Sequence, residues 1–210
     1  VSARIGGGDL DSNPRLRRAV SNARSNNMPQ DNIKRAIKKG IGELDGVAYE
    51  EMSYEGYGPN GIAILIEVIT DNKNRTVSEL RHILNKNNGN LAEPGSVAWN
   101  FDRKGEILIS NFHGNEEKLL EDILDSGAEN FEINEENVMV ITDQSSLLIS
   151  RDSLEKRGYQ IKSADFVMIP KSTQHINEDE QERIINLMET IDNHDDVNNV
   201  YSNFIFSSEV

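Results

Sequence analysis

The sequence predicts an α+β fold, in which a small N-terminal helical domain precedes two ferredoxin-like α/β domains, the third inserted into the second. Three observations carry this. Apolar residues recur at helical spacing through the first 46 residues, and the period then shifts to β-branched runs. Residues 105–166 read strand, helix, strand, strand, helix, strand, the ferredoxin-like order. With 210 residues, 36% of them hydrophobic, the chain can fill two to three small domains that share buried surface.

Asn13 is an N-cap candidate with Pro14 in the first helical position, followed by the stripe Leu16, Ala19, Val20 and Ala23. A second helix opens at Pro29, is expected to bury Ile33, Ala36 and Ile37, and stops at Gly40. From Val47 the pattern gives a strand over 49–57, a turn at 58–61 and an apolar strand from Ile62 to Ile69. The polar run Thr70–Thr76 leads into a helix carrying Val77, Leu80, Ile83 and Leu84, and a further strand is expected from Val97 to Phe101. The tail adds a helix from Glu178 to Ile191, whose early acids suit a helix N-terminus, and a strand from Val200 to Phe206. The expected boundaries are 1–46 for the helical domain, 47–103 with 171–210 for a discontinuous domain, and 104–170 for the inserted one.

Several function classes are excluded or unsupported. The longest apolar run is broken by Glu67, well short of the roughly 18 apolar residues a membrane span needs. Zero cysteines exclude disulfides, thiolate catalysis and cysteine-held metal, and fit a reducing compartment. His82, His113, His175 and His194 lack metal-ligand spacing, and no GxSxG elbow occurs. Gly56–Gly61 matches GxGxxG, but it feeds a strand rather than a helix N-terminus and so reads as a hairpin turn. Gly6-Gly7-Gly8 lacks the Lys and Ser/Thr of a phosphate loop and reads as a flexible joint. Carboxylate pairs such as Glu50/Glu51 and Glu135/Glu136 are uninformative in so acidic a chain, and Asn74-Arg75-Thr76 is a sequon only in form. No cofactor or metal is expected.

Charge is the informative quantity. The net value of −14 conceals nine basic against five acidic residues in 1–46, and eight against one within 12–42. A segregated basic segment on an acidic body is the electrostatic footprint of a nucleic-acid partner. Lys34/Lys38 and Arg35/Lys39 are like charges at i,i+4, a cost that an anionic partner would remove. The residues expected to contact nucleic acid are Arg15, Arg17, Arg18, Arg24, Lys34, Arg35, Lys38 and Lys39, with Lys73, Arg75 and Arg81 in the middle domain. Two further segments are not explained by simple core packing: Thr70–Thr76, and Glu93-Pro94-Gly95-Ser96 ahead of Trp99, for which the plain account is turn chemistry plus a buried aromatic anchor and the other a functional role.

These motifs together resemble the YebC family of transcriptional regulators, whose mitochondrial relatives are translational activators of cytochrome c oxidase subunit I. The resemblance runs through Gly6-Gly7-Gly8-Asp9, Asn13–Arg17, Asn27-Met28-Pro29, Arg35–Gly40, Tyr54–Pro59, Thr70-Asp71-Asn72, Asn74-Arg75-Thr76 and Gly95–Trp99. It implies three domains and nucleic-acid-associated control of gene expression without enzymatic activity. It also implies a basic stretch before the triple glycine; the chain opens at Val1 without methionine, and residues upstream are expected. Asn60, Asn88 and Ala92 stand where the family usually has glycine, which is expected to loosen the turns there.

The leading expectation is a monomeric, cytoplasmic, DNA-binding transcriptional regulator, or one of the mitochondrial matrix if eukaryotic. The second is a ribosome- or RNA-associated translation factor. The third is a small-molecule protein or enzyme using Asp71, Asn72, Arg75, Glu93 and Ser96, although no nucleophile–base pair is evident among them.

Overall fold

The computed structural model describes residues 1–44, 49–134 and 136–206. The change of period expected at Val47, the boundary at 46, Glu135 and the last residues of the C-terminal segment lie outside them. Seven α-helices and ten strands occur among the described residues, and none of these helices is long and apolar enough to cross a membrane. The chain forms two compact units, one of residues 1–19, 30–102 and 170–210, the other of residues 20–29 and 103–169.

In the first unit, α1 (Ser2–Gly6) and α3 (Gln30–Gly40) pack closely, because a Cβ on Gly40 would lie 2.8 Å from that of Ala3. The helix α2 (Pro14–Ser25) begins where the capping pattern places it: the Asn13 side chain accepts from the Leu16 N–H at 3.0 Å. Its amide also donates to the carbonyls of Ser2 and Gly7, at 3.0 and 2.8 Å, so one buried Asn ties α1 to α2. The triple glycine is therefore a packed turn and not a flexible joint. A Cβ on Gly6 would stand 2.7 Å from Asn13, Gly7 holds φ of 83°, and the Gly7 N–H closes α1 onto Ala3. Leu16, Val20 and Ile33 are buried as expected, whereas Ala19 and Ala36 are exposed and Ile37 is half-buried. Small side chains at the flank of each stripe leave the burial to the larger residues.

The first sheet takes the order β3-β1-β2-β9, built from β1 (Glu50–Tyr57), β2 (Ala63–Thr70), β3 (Asn90–Ala92) and β9 (Val197–Ser202). The β1–β2 hairpin occupies its centre, paired from Glu50↔Thr70 to Tyr57↔Ala63, so the Gly56–Gly61 match is the end of β1 and the hairpin turn that follows it. Two helices, α4 (Lys73–Lys86) and α7 (Glu178–Asp192), cover one face. There Ile62, Ile64, Ile66 and Val68 meet Leu80, Leu84, Ile184, Leu187 and Ile191 in one buried cluster. Asn60 and Asn88 hold φ of 59° and 58°, so asparagine keeps the left-handed turns that glycine adopts freely.

Two expected strands are corrected. Residues 97–100 are not a strand, and Phe101 opens the strand that follows: β3 pairs with β1 earlier, and Ala98–Asn100 form a 3-10 turn after a loop whose N–H groups bond to Glu55. The C-terminal strand is two, because Asn203 interrupts it. The Asn203 side chain accepts from the Ala63 N–H at 2.8 Å, and β10 (Phe204–Phe206) then pairs in parallel with β8 (Gln174–Ile176).

In the second unit the sheet order is β5-β6-β4-β7, from β4 (Phe101–Ile109), β5 (Asn130–Asn134), β6 (Asn137–Thr142) and β7 (Ile161–Pro170). With α5 (Glu116–Asp125) and α6 (Leu147–Lys156) as crossovers, this is the ferredoxin-like wiring. Ile107, Ile109, Val138 and Val140 pack against Leu119, Ile123, Leu147 and Leu154. In the first sheet the same two-helix layering is reached with the hairpin at the centre.

Replacing Asn13 with Ala removes the α2 cap and the bridge to α1. Urea denaturation is expected to show a loss of about 1–2 kcal/mol, and an unchanged midpoint would refute the structural role given to this residue.

Candidate nucleic-acid interface and the groups around it

Burial of Ile33 turns the opposite side of α3 to solvent, and Lys34, Arg35, Lys38 and Lys39 are all exposed there. None of these four side chains has an ion-pair or hydrogen-bond partner among the described residues. Asp31 in the first turn and Lys38 and Lys39 in the last suit the helix dipole.

Most of the other expected cations are already engaged. Arg15 pairs with Glu51, and Arg17 donates to the carbonyls of Leu10 and Asp11 at 2.9 and 2.7 Å. Lys73 pairs with Glu50 at 2.7 Å, and Arg75 with Asp196 and Asp71 at 2.8 and 3.1 Å. Arg18 is half-buried, Arg24 and Arg81 are exposed, and Arg24 falls in the second unit while the rest belong to the first. Apart from the i,i+4 pair of Asp71 and Arg75, sequence spacing gives no sign of these commitments because the partners are other turns or distant strands.

The Thr70–Thr76 segment is explained by Asp196, a carboxylate only 7% exposed in the turn between α7 and β9. It accepts from Arg75 twice at 2.8 Å, from the Thr70 hydroxyl at 3.1 Å and from that of Thr76 at 2.6 Å. Asn72 caps α4 by accepting from the Arg75 N–H at 3.1 Å. Burial pushes the Asp196 carboxyl up, but the Arg75, Thr76 and Thr70 donors prevail and hold it below the ordinary range.

An open cleft of about 810 Å³ adjoins this network, lined among others by Glu79, His82, His194 and Asp196. Glu79, His194 and Asp196 place ligand atoms within 4.8 Å of one another, a grouping that sequence spacing did not reveal. Its chemistry does not fit a cation. The Asp196 N–H donates to His194 Nδ1 at 3.1 Å, which puts the ring proton on Nε2 facing Glu79 at 2.9 Å, and Arg75 already neutralises Asp196.

Glu55 is the second buried carboxylate. It accepts backbone N–H groups from Gly95 at 2.7 Å, Val97 at 2.6 Å and Ala98 at 2.8 Å. Burial raises its carboxyl, yet these backbone donors together outweigh burial and keep it below the usual range. The loop so fixed does not bury its aromatic. Trp99 is 66% exposed, while Val97 and Asn100 on either side are 1% and 3% exposed. A lone tryptophan beside a turn gives no sequence signal that separates an anchor from a displayed ring.

The third expectation is not supported by geometry. Asp71, Asn72 and Arg75 follow Thr70, which pairs with Glu50, whereas Glu93 and Ser96 lie in the loop held by Glu55. Five residues of strand separate those points, about 17 Å at roughly 3.4 Å per residue, and no hydrogen bond or ion pair among the described residues joins the two groups.

Two four-stranded sheets with helices on one face, buried carboxylates fixing the turns of the first and a cationic helix near the N-terminus define a layered α+β protein. The chain belongs to the TACO1/YebC family. The family model for the TACO1/YebC N-terminal domain matches residues 1–43, and that for the second and third domain matches 49–204. A "Probable transcriptional regulatory protein" of Geobacter sulfurreducens is 49% identical over 100% of this chain and 84% of its own length. One of Dictyoglomus turgidum is 46% identical over 100% and 85%. The crystal structure of a conserved hypothetical protein from Aquifex aeolicus matches with a TM-score of 0.92 and 42% identity, covering 100% of this chain and 87% of that one.

The Asp196→Asn variant keeps the shape but removes the charge that Arg75 and two hydroxyls serve, and a loss of roughly 2–3 kcal/mol is expected. Because the folded-state value lies below the unfolded value of about 3.9, the wild-type contribution is complete above that pH and disappears as pH falls through the folded value. Urea midpoints measured from neutral to acid pH should therefore show a shallower acid limb in the variant, and parallel limbs would count against the network.

Proposed function

We propose that this protein is a non-enzymatic, nucleic-acid-binding regulator of gene expression whose helix α3 contacts phosphates, with duplex DNA as the leading target. The observation behind this reading is four exposed cations within residues 34–39, unpaired among the described residues, in a chain of net charge −14. Elsewhere the acidic majority engages many of the cations, as with Arg15, Lys73, Arg75, Lys104 and Arg157. On α3 the like-charged i,i+4 pairs cost a few tenths of a kcal/mol each, a penalty that a polyanion reverses. The acidic remainder would repel the polyanion and orient the molecule on it. The names carried by the bacterial relatives support transcription as the process and a cytoplasmic setting.

Lys34, Arg35, Lys38 and Lys39 supply at most four phosphate contacts, so the logarithmic salt slope of duplex binding is expected near −3.6, at about −0.9 per contact. Reversing Lys34 and Lys38 to Glu should flatten it by about two units and weaken all sequences alike. Fluorescence anisotropy across a salt series measures this, and an unchanged slope in a folded double variant would remove α3 from the interface. Crosslinking in cells decides the process: reads over promoters sustain the DNA reading, and ribosomal or messenger RNA replaces it with a translation factor.

A further inference from the structure

Trp99 is the single tryptophan of the chain and its largest side chain, and its exposure is built rather than incidental. Full burial of such a ring is among the most favourable steps in folding. Here the backbone on both sides is locked so that the ring stays out. Glu55 holds the N–H groups of Gly95, Val97 and Ala98 from one side. From the other, the Asn100 side chain accepts from the Ser172 N–H and hydroxyl at 3.1 and 2.7 Å, and the Lys171 N–H donates to the Asn100 carbonyl at 2.7 Å.

The orientation of the ring follows from one more pair of bonds. Trp99 Nε1 donates to the Ser96 carbonyl at 2.9 Å, and the Tyr57 hydroxyl donates to the same oxygen at 3.1 Å. The polar edge of the indole is thereby satisfied within the loop. What remains for solvent is apolar ring surface that needs no hydrogen bond from a partner.

The surroundings choose among partners. A protein-docking hot spot sits in an apolar, desolvated patch. Around Trp99 the exposed neighbours are Glu93, Pro94, Gly95, Asp102 and Lys171, a small and polar rim. The Lys171 ammonium lies 3.0 Å from the Trp99 carbonyl oxygen and 3.1 Å from Asp102. One flat aromatic with a polar rim matches a nucleobase, which offers a π-face and polar edges, and such rings hold single strands without sequence preference; Lys171 is already paired with Asp102 and supplies the rim, not a phosphate contact.

We propose that Trp99 is a stacking platform for an unpaired nucleobase. This rests on the nucleic-acid reading above, though not on whether the target is DNA or RNA. Paired bases are stacked within the duplex, so the platform serves a single-stranded or opened segment, while α3 serves the backbone.

The test uses the full chain, a short oligoadenylate and a duplex of equal length. Indole emission should be quenched saturably by the single strand, and Trp99→Leu should weaken that binding by roughly 5–150-fold, the range of 1–3 kcal/mol per stacked base. Trp99→Phe should recover most of the affinity. Trp99→Leu should leave the salt slope unchanged, because stacking releases no counterions, whereas reversal of Lys34 and Lys38 should flatten the slope and leave the quench at saturation intact. Saturable binding with unquenched emission and wild-type affinity in Trp99→Leu would overturn the platform and leave the α3 reading standing. Absence of binding to either oligonucleotide would overturn both. Trp99 is exposed, so the urea midpoint of Trp99→Leu is expected to match wild type, and a folded variant keeps every arm of the test decisive.

Discussion

The first unit depends on one buried carboxylate. Asp196 receives donors from Thr70, Arg75 and Thr76, all more than a hundred residues earlier, and its own carbonyl accepts from the Ile69 N–H at 2.9 Å. That set of bonds fastens the turn entering β9 to the turn leaving β2, so β9 arrives in register beside β2 and α7 lands next to α4 on the same face. Removing the charge would leave Arg75 with Asp71 alone and take from two buried hydroxyls their anionic acceptor. The cost of bringing such distant segments together grows only with the logarithm of the intervening length. A single well-satisfied anion can therefore hold the ends of a sheet whose chain is interrupted by residues 103–169.

Glu55 solves the same problem with different donors. Asp196 is met mainly by side chains and so fixes the packing of elements, whereas Glu55 is met by backbone N–H groups and so fixes the path of a loop. Both are kept ionised by donors that outweigh their burial. The consequence for function is indirect. Acids close to the sheet are engaged in holding turns, cations close to the sheet are engaged in pairing with acids, and the cations left to solvent on α3 lie on a helix that is anchored by Ile33.

What could be read from the sequence was what local chemistry determines. The Asn13–Pro14 cap, the Leu80/Leu84 stripe, the hairpin at Gly56–Gly61 and the strand–helix order of 105–166 each depend on neighbours within a few residues. What could not be read depends on distant partners. Nothing near Thr70–Thr76 announces Asp196, and nothing near Arg15 or Lys73 announces Glu51 or Glu50 as the group that takes its charge. The triple glycine looked flexible because glycine favours no single conformation, and it is Asn13 packing against Gly6 that makes it rigid. The exposure of Trp99 is illegible for a related reason: hydrophobicity states what a side chain gains by burial, not whether the backbone permits it.

The two parts of the proposed interface differ in how firmly the backbone holds the exposed group. On α3 the exposed groups are long, flexible cations, which follow a polyanion without fixing its position. At Trp99 the exposed group is a ring with few torsions on a backbone pinned from both sides, so little conformational entropy is lost when a flat ligand stacks on it. Pinning the loop through Glu55 thus has a purpose that stability does not supply, since the ring it displays would contribute more to folding if it were buried. A residue held out of the core by buried bonds, rather than merely left outside it, is the strongest physical reason for assigning that loop to recognition.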